Sequence, residues 1–199
     1  MCIRDRSKNQ SDCAGKILKV DIKDIYIKEV INNIKIKGEE KLKVVIDCGN
    51  GAAGCIAPRL YRELGCEVVE LFTEIDGNFP NHHPDPGKLE NLSYLINKVK
   101  STKADLGLAF DGDGDRVGLV SNKGDVVFPD KIMMILSQDI LSKKKGSIIF
   151  DVKCSNALPD IIKSLNGTPI MSPTGHFHIK NAIREPVSYT HLRAHETLV

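Results

Sequence analysis

Short apolar runs rich in valine and isoleucine alternate with segments of helical period along most of this chain, and no other feature restricts its fold as strongly. Leu42 to Asp47 reads as a buried strand, as do Glu67 to Phe72, Leu106 to Phe110 and Ser147 to Phe150; Pro169 to Met171 is a further short candidate. Between them, Ile25, Ile27, Ile31 and Ile34 mark a helix over Asp24 to Ile34, and Cys55 to Leu64 runs as a helix closed by Gly65. Leu92, Leu95, Ile96 and Val99 repeat at i, i+3, i+4, i+7, the stripe of an amphipathic helix. Ile132, Ile135, Leu136 and Ile140 predict a helix over Asp130 to Leu141, and Leu158, Ile161, Ile162 and Leu165 predict another. Val117 to Val120 and Val126 to Phe128, turned at Asn122-Lys123-Gly124, predict a β-hairpin. Strands alternating with helices specify an α/β class, with mixed, mainly parallel sheets flanked by helices and right-handed crossovers. The hairpin sets a boundary near Asp125, leaving one nearly complete domain at 24–125 and a truncated second at 126–185.

Both ends break the pattern. Residues 1–7 and the tail 186–199 carry neither structural period and resemble translated sequencing-adapter sequence; they are read as non-native and set aside. Residues 8–23 form a connecting segment before the first domain. Hydrophobic residues at 41% and charged residues at 27% describe an ordinary globular protein. A net charge of +2 with scattered lysines gives no reason to expect a nucleic-acid partner. No apolar run nears the ~20 residues of a membrane span. The six cysteines are widely spaced with no C-x-x-C pair, which fits reduced side chains in a cytoplasmic setting.

The chemistry concentrates in Asp111-Gly112-Asp113-Gly114-Asp115-Arg116, directly after the apolar run Leu106 to Phe110. Alternation aims Asp111, Asp113 and Asp115 at one point. Each pair of such carboxylates repels by roughly 4 kcal/mol at an effective dielectric of about 20 and ~4 Å separation, so a cation or a proton is required among them. A calcium EF-hand needs glycine at the sixth loop position and glutamate at the twelfth, where this loop has Arg116 and Asn122. Hard oxygen ligands beside an arginine suit Mg²⁺ and a phosphate instead.

Gly49-Asn50-Gly51-Ala52-Ala53-Gly54 matches G-x-G-x-x-G between a strand and a helix, with Glu70 ending the next strand. That leaves an NAD-dependent oxidoreductase as a rival reading, against the simpler one of a tight packed turn. His82 and His83 are neighbours whose side chains diverge, and among prolines they are read as fixing the loop Asp76 to Gly87 by hydrogen bonds. Lys153 beside Asp151, and Gly175-His176 with Lys180, lie on the loops read over Asp151 to Cys154 and Thr174 to Lys180, which also follow strand ends. Open parallel sheets place ligands at that edge.

Taken together, Lys43 to Gly54, Gly77 to Gly87, Ala109 to Val117, Asp151 to Cys154 and Thr174 to Lys180 resemble the α-D-phosphohexomutase family, in its bacterial phosphomannomutase/phosphoglucomutase form. The resemblance runs from about residue 20 to Glu185 and implies that family's domain II followed by the first part of domain III. It implies interconversion of hexose 1-phosphate and 6-phosphate (mannose or glucose) through a phosphoserine enzyme and a bisphosphorylated sugar. Asp111, Asp113 and Asp115 would hold Mg²⁺, Arg116 would steady the transferring phosphate, and Lys153 and His176 would contact the phosphosugar. The implied partners are hexose phosphates and hexose bisphosphate, with no nucleic acid or membrane, in a parent that is monomeric or weakly oligomeric. Phe177-His178 stands where the family usually has serine after Gly-His. The phosphoserine and the loops that recognise sugar and phosphate in the other domains are not among these residues, so the 199-residue chain itself is expected to be inactive. A non-catalytic metal-binding module is the remaining alternative.

Overall fold

Three strands that share a direction build the edge on which the carboxylate loop sits. The computed structural model describes residues 16–34, 36 and 41–184. Within them β1 (Lys43–Asp47), β2 (Glu67–Leu71) and β3 (Leu106–Phe110) are parallel, in the order β2-β1-β3. β4 (Val117–Ser121) returns antiparallel beside β3, and the two-residue β5 (Val126–Val127) pairs with β4. The first sheet therefore runs two residues beyond the expected boundary at Asp125. A second, two-stranded parallel sheet consists of β6 (Ser147–Asp151) and β7 (Thr168–Ser172).

β1 is buried along nearly its whole length because it is covered on both faces, which is why its sequence is an unbroken apolar run. Val45 points to a core formed with Leu95 and Val99 of α3 (Ser93–Thr102), whereas Val44 and Ile46 face Ala57 of α2 (Ala57–Glu63) and the half-buried Tyr61. The period-2 alternation of the strand assigns each side chain to its helix. α1 (Lys23–Asn33) packs on α2 and buries only Ile27.

The second sheet is covered by α4 (Pro129–Lys143) and α5 (Ala157–Ser164). Met133, Ser137 and Leu141 line the buried side of α4 at four-residue spacing, and Leu158 and Ile162 do so on α5.

Two expectations are corrected in detail. The helix read from Cys55 to Leu64 is a 3₁₀ turn over Ala52–Cys55 followed by α2, broken at Ile56. Pro58 explains the break, since it supplies no N–H and favours the first turn of a new helix. The stretch Thr174 to Lys180, read as a loop, is largely α6 (His176–Arg184). The ends read as non-native, 1–7 and 186–199, lie outside the described residues, as does most of 8–23.

Candidate functional site

The loop Asp111 to Arg116 is the turn of an antiparallel hairpin, anchored where Phe110 pairs with Val117. Within it, Asp111 N–H donates to the Arg116 carbonyl at 3.3 Å and Gly114 N–H to the Asp111 carbonyl at 3.1 Å. The result gathers the three carboxylates: one oxygen from each of Asp111, Asp113 and Asp115 lies within 4.8 Å of the others. Asp111 is buried, while Asp113 and Asp115 are exposed.

Arg116 closes this arrangement. Its backbone N–H donates to Asp111 Oδ1 at 3.0 Å and its Nε–H to Asp111 Oδ2 at 2.7 Å. Its Nη1 lies 3.7 Å from Asp85 and its Nε 3.6 Å from Asp115. Burial works against the Asp111 carboxylate, but the two Arg116 donors outweigh it and hold its pKa below the usual aspartate value. Asp115 moves the other way, because its carboxyl shares a hydrogen bond with Asp111 and keeps its proton to higher pH. The two carboxyl groups have Arg116 as a common cationic neighbour, its Nε at 2.7 Å from Asp111 and 3.6 Å from Asp115.

Neighbouring segments brace the loop. Ala52 N–H donates to the Gly112 carbonyl at 2.9 Å, and a Cβ on Gly51 would lie 2.8 Å from that same oxygen. A Cβ on Gly54 would meet the Thr73 carbonyl oxygen at 2.0 Å. These glycines admit backbone, which is the packed-turn reading of G-x-G-x-x-G. Glu70, the residue a ribose would need, is engaged by Arg62 and by Thr73. Burial pushes the Cys48 thiol up to about 12, leaving it an apolar core residue.

His82 does what the sequence suggests, holding its loop: its Nε2 lies 3.1 Å from each carboxylate oxygen of Asp47. Sequence reasoning missed Asp47 and Asp85, since their partners are distant along the chain and no short motif contains both members. Lys153 stands at the carboxyl edge of the second sheet, where its N–H donates to Asp151 Oδ1 at 2.8 Å and Thr174 Oγ1 donates to Asp151 Oδ2 at 3.3 Å. The Lys153 side chain is exposed, and among the described residues no ion pair joins it to the carboxylate loop. His176 opens α6, but its side chain lies outside what is described. Phe177 is 71% exposed and packs edge-on against His178.

Two family models match this chain. The model for phosphoglucomutase/phosphomannomutase, alpha/beta/alpha domain II, matches residues 24–124. The chain belongs to this family. The model for alpha/beta/alpha domain III of phosphoglucomutase/phosphomannomutase matches residues 128–190. A phosphomannomutase/phosphoglucomutase from Pseudomonas putida is 56% identical over 172 residues, covering 86% of this chain and 37% of that protein. A phosphoglucomutase from Neisseria gonorrhoeae is 45% identical over 176 residues, covering 88% of this chain and 38% of its own length. The crystal structure of a phosphoglucomutase/phosphomannomutase family protein from Burkholderia thailandensis superposes with a TM-score of 0.81 at 45% identity, over 88% of this chain and 38% of that one. The chain thus spans somewhat over a third of these mutase relatives. Neither the dehydrogenase reading nor that of a non-catalytic module is supported. No helix among the described residues is long and apolar enough to cross a membrane.

Proposed function

We propose that this chain is the metal-binding part of a hexose-phosphate mutase, and that the intact parent interconverts hexose 1-phosphate and 6-phosphate through a phosphoserine and a bisphosphorylated sugar. The observation that carries the reading is the convergence of Asp111, Asp113 and Asp115, closed by Arg116. Residues 24–125 serve as domain II and 126–185 as the first part of domain III, a division supported by the two family matches. Mannose and glucose phosphates are the substrates that the relatives' names suggest. The working compartment is the cytoplasm, in keeping with four described cysteines that are all unpaired, and the parent is monomeric or weakly oligomeric.

The donor set fits Mg²⁺. All ligands are hard oxygens, and their spread of up to 4.8 Å is only slightly wider than the ~4.2 Å between opposed oxygens on one magnesium ion. Exposed Asp113 and Asp115 rotate to close the difference, while buried Asp111 is held still by Arg116. A bound Mg²⁺ supplies charge neutralisation to phosphoryl oxygens. Arg116 keeps guanidinium N–H groups beyond the Nε–Asp111 bond with which to steady a phosphoryl group in transfer, work that is mainly positioning and electrostatics. Lys153 and His176 contact the phosphosugar from the edge of the second sheet.

The test has two arms. The 199-residue chain binds Mn²⁺ weakly in a titration and Asp113→Asn abolishes that binding, whereas incubation with glucose 1-phosphate, Mg²⁺ and glucose 1,6-bisphosphate yields no appreciable glucose 6-phosphate. The intact parent performs that conversion and loses it with Asp113→Asn. A parent inert toward both glucose and mannose phosphates overturns the reading.

A further inference from the structure

The irregular segment from Asp76 to Gly87 touches the carboxylate loop at more than one place. Pro84 Cγ lies 3.4 Å, and Phe79 Cζ 3.6 Å, from where a Cβ on Gly112 would stand, so the segment lies directly on the backbone between Asp111 and Asp113. Asp85 faces the Arg116 guanidinium at 3.7 Å, and the Asp85 carbonyl accepts from Asn91 Nδ2 at 2.9 Å. Pro86 Cβ would lie 2.8 Å from a Cβ on Gly118, just past the loop.

The same segment is fastened to the sheet. Asn81 Nδ2 donates to Asn50 Oδ1 at 2.8 Å, and Asn50 Nδ2 donates to the Glu74 carbonyl at 2.8 Å. The strongest fastening is His82. Its Nε2 faces both oxygens of Asp47, and its Nδ1 lies 3.0 Å from the His83 carbonyl oxygen. Both ring nitrogens therefore meet acceptors, and only the imidazolium can donate to both. The pair is nearly dry, with side-chain exposures of 9% for His82 and 0% for Asp47. Phe72 and Tyr94 flank the ring, at centroid distances of 5.4 and 6.2 Å.

Arg116 has a competing partner. Its Nε stands 3.6 Å from Asp115 while its Nη1 stands 3.7 Å from Asp85, so the guanidinium is shared between the two carboxylates, and without Asp85 its Nη1 end swings toward Asp115 as well. Asp85 pulls from the other side. We infer that Asp76 to Gly87 is a strap that aims Arg116, with Asp85 as the positioning residue and the Asp47–His82 pair as its clasp, holding the Nη1 end of the guanidinium toward Asp85 while Nε stays with Asp111 and Asp115. This rests on the reading of Asp115 as a metal ligand and Arg116 as the phosphate-facing cation.

The experiment compares wild type, His82→Gln, Asp85→Asn and Asp85→Glu in the 199-residue chain by two readouts. One is the Arg116 Nε–H resonance in a nitrogen–proton correlation spectrum; the other is Mn²⁺ affinity. The resonance is distinct and slowly exchanging in the wild type and in Asp85→Glu, and shifts or broadens in His82→Gln and Asp85→Asn. His82→Gln also weakens Mn²⁺ about 10-fold, the usual scale for a partner outside the ligands themselves. That direction is diagnostic, because removing a positive charge by through-space electrostatics alone would tighten cation binding. An unmoved Nε–H in both variants overturns the strap, whatever happens to Mn²⁺, and so does unchanged or tighter Mn²⁺ binding in His82→Gln. If the wild type binds no Mn²⁺, the metal reading fails while the Nε–H comparison still decides the strap. Should His82→Gln not fold, the Asp85→Asn and Asp85→Glu pair carries the same decision.

Discussion

Arg116 gives both its backbone N–H and its Nε–H to Asp111, at 3.0 and 2.7 Å, so the one buried carboxylate of the acidic loop is held by the residue that ends it. Asp111 thereby shapes the loop, whereas Asp113 and Asp115 are exposed; under the proposed reading all three offer oxygens to a cation.

That division separates stability from binding. Asp111→Ala loses two donors to a charged acceptor and costs about 2 kcal/mol of stability in metal-free urea denaturation. Asp113→Ala removes an exposed carboxylate and stays within about 0.5 kcal/mol of wild type. Both lose Mn²⁺ binding. Equal stability losses in the two variants would show that the loop is not shaped through Asp111.

The His82 clasp makes part of the stability depend on pH. The Asp47 hydrogen bond raises the His82 pKa above its ordinary value despite opposing burial. Below about pH 6.5 the histidine is protonated in both the folded and unfolded chain, and the contribution is complete. It is lost as pH rises through the raised folded value. The gap in unfolding free energy between wild type and His82→Asn should therefore be full below about pH 6.5 and shrink as pH rises above it. A gap that widens with pH contradicts the imidazolium assignment.

Gly54→Ala places a methyl group 2.0 Å from the Thr73 carbonyl oxygen, a backbone atom that cannot step aside. A loss of about 3 kcal/mol or more follows, at the upper end for overpacking. Gly77→Ala meets nothing within 4 Å and is near neutral. Urea midpoints of the two variants check this, and NADH fluorescence should be unaffected by the chain in every case.

Ser137 is fully buried on α4 between Met133 and Leu141, and its hydroxyl has no hydrogen-bond partner among the described residues. Ser137→Ala removes an unsatisfied polar group and raises stability by about 1 kcal/mol, measurable by thermal unfolding. A destabilised variant would reveal a partner for the hydroxyl.

Periodicity alone located most of the elements. Val44, Val45 and Ile46 announced β1, and Leu92, Leu95, Ile96 and Val99 announced α3, because burial on a regular element imposes a regular spacing. The misses have equally local causes. His176 to Arg184 forms a helix although Gly175-His176-Phe177-His178 begins without a clear apolar stripe. Pro58 split a segment whose apolar content read as continuous.

The acidic loop was legible for a different reason. Its donors are neighbours in the chain, and alternating aspartate and glycine after a buried strand leaves few ways for the carboxylates to diverge. Local order thus determined that the three carboxylates share one place, each offering an oxygen within 4.8 Å of the others. Only the folded chain could decide how Arg116 is held. Asp85 precedes it by many residues, and Asp47 meets His82 at a separation of 35 positions. Such pairs exist because parallel strands bring their carboxyl ends to one edge, and that proximity belongs to the sheet rather than to any stretch of sequence.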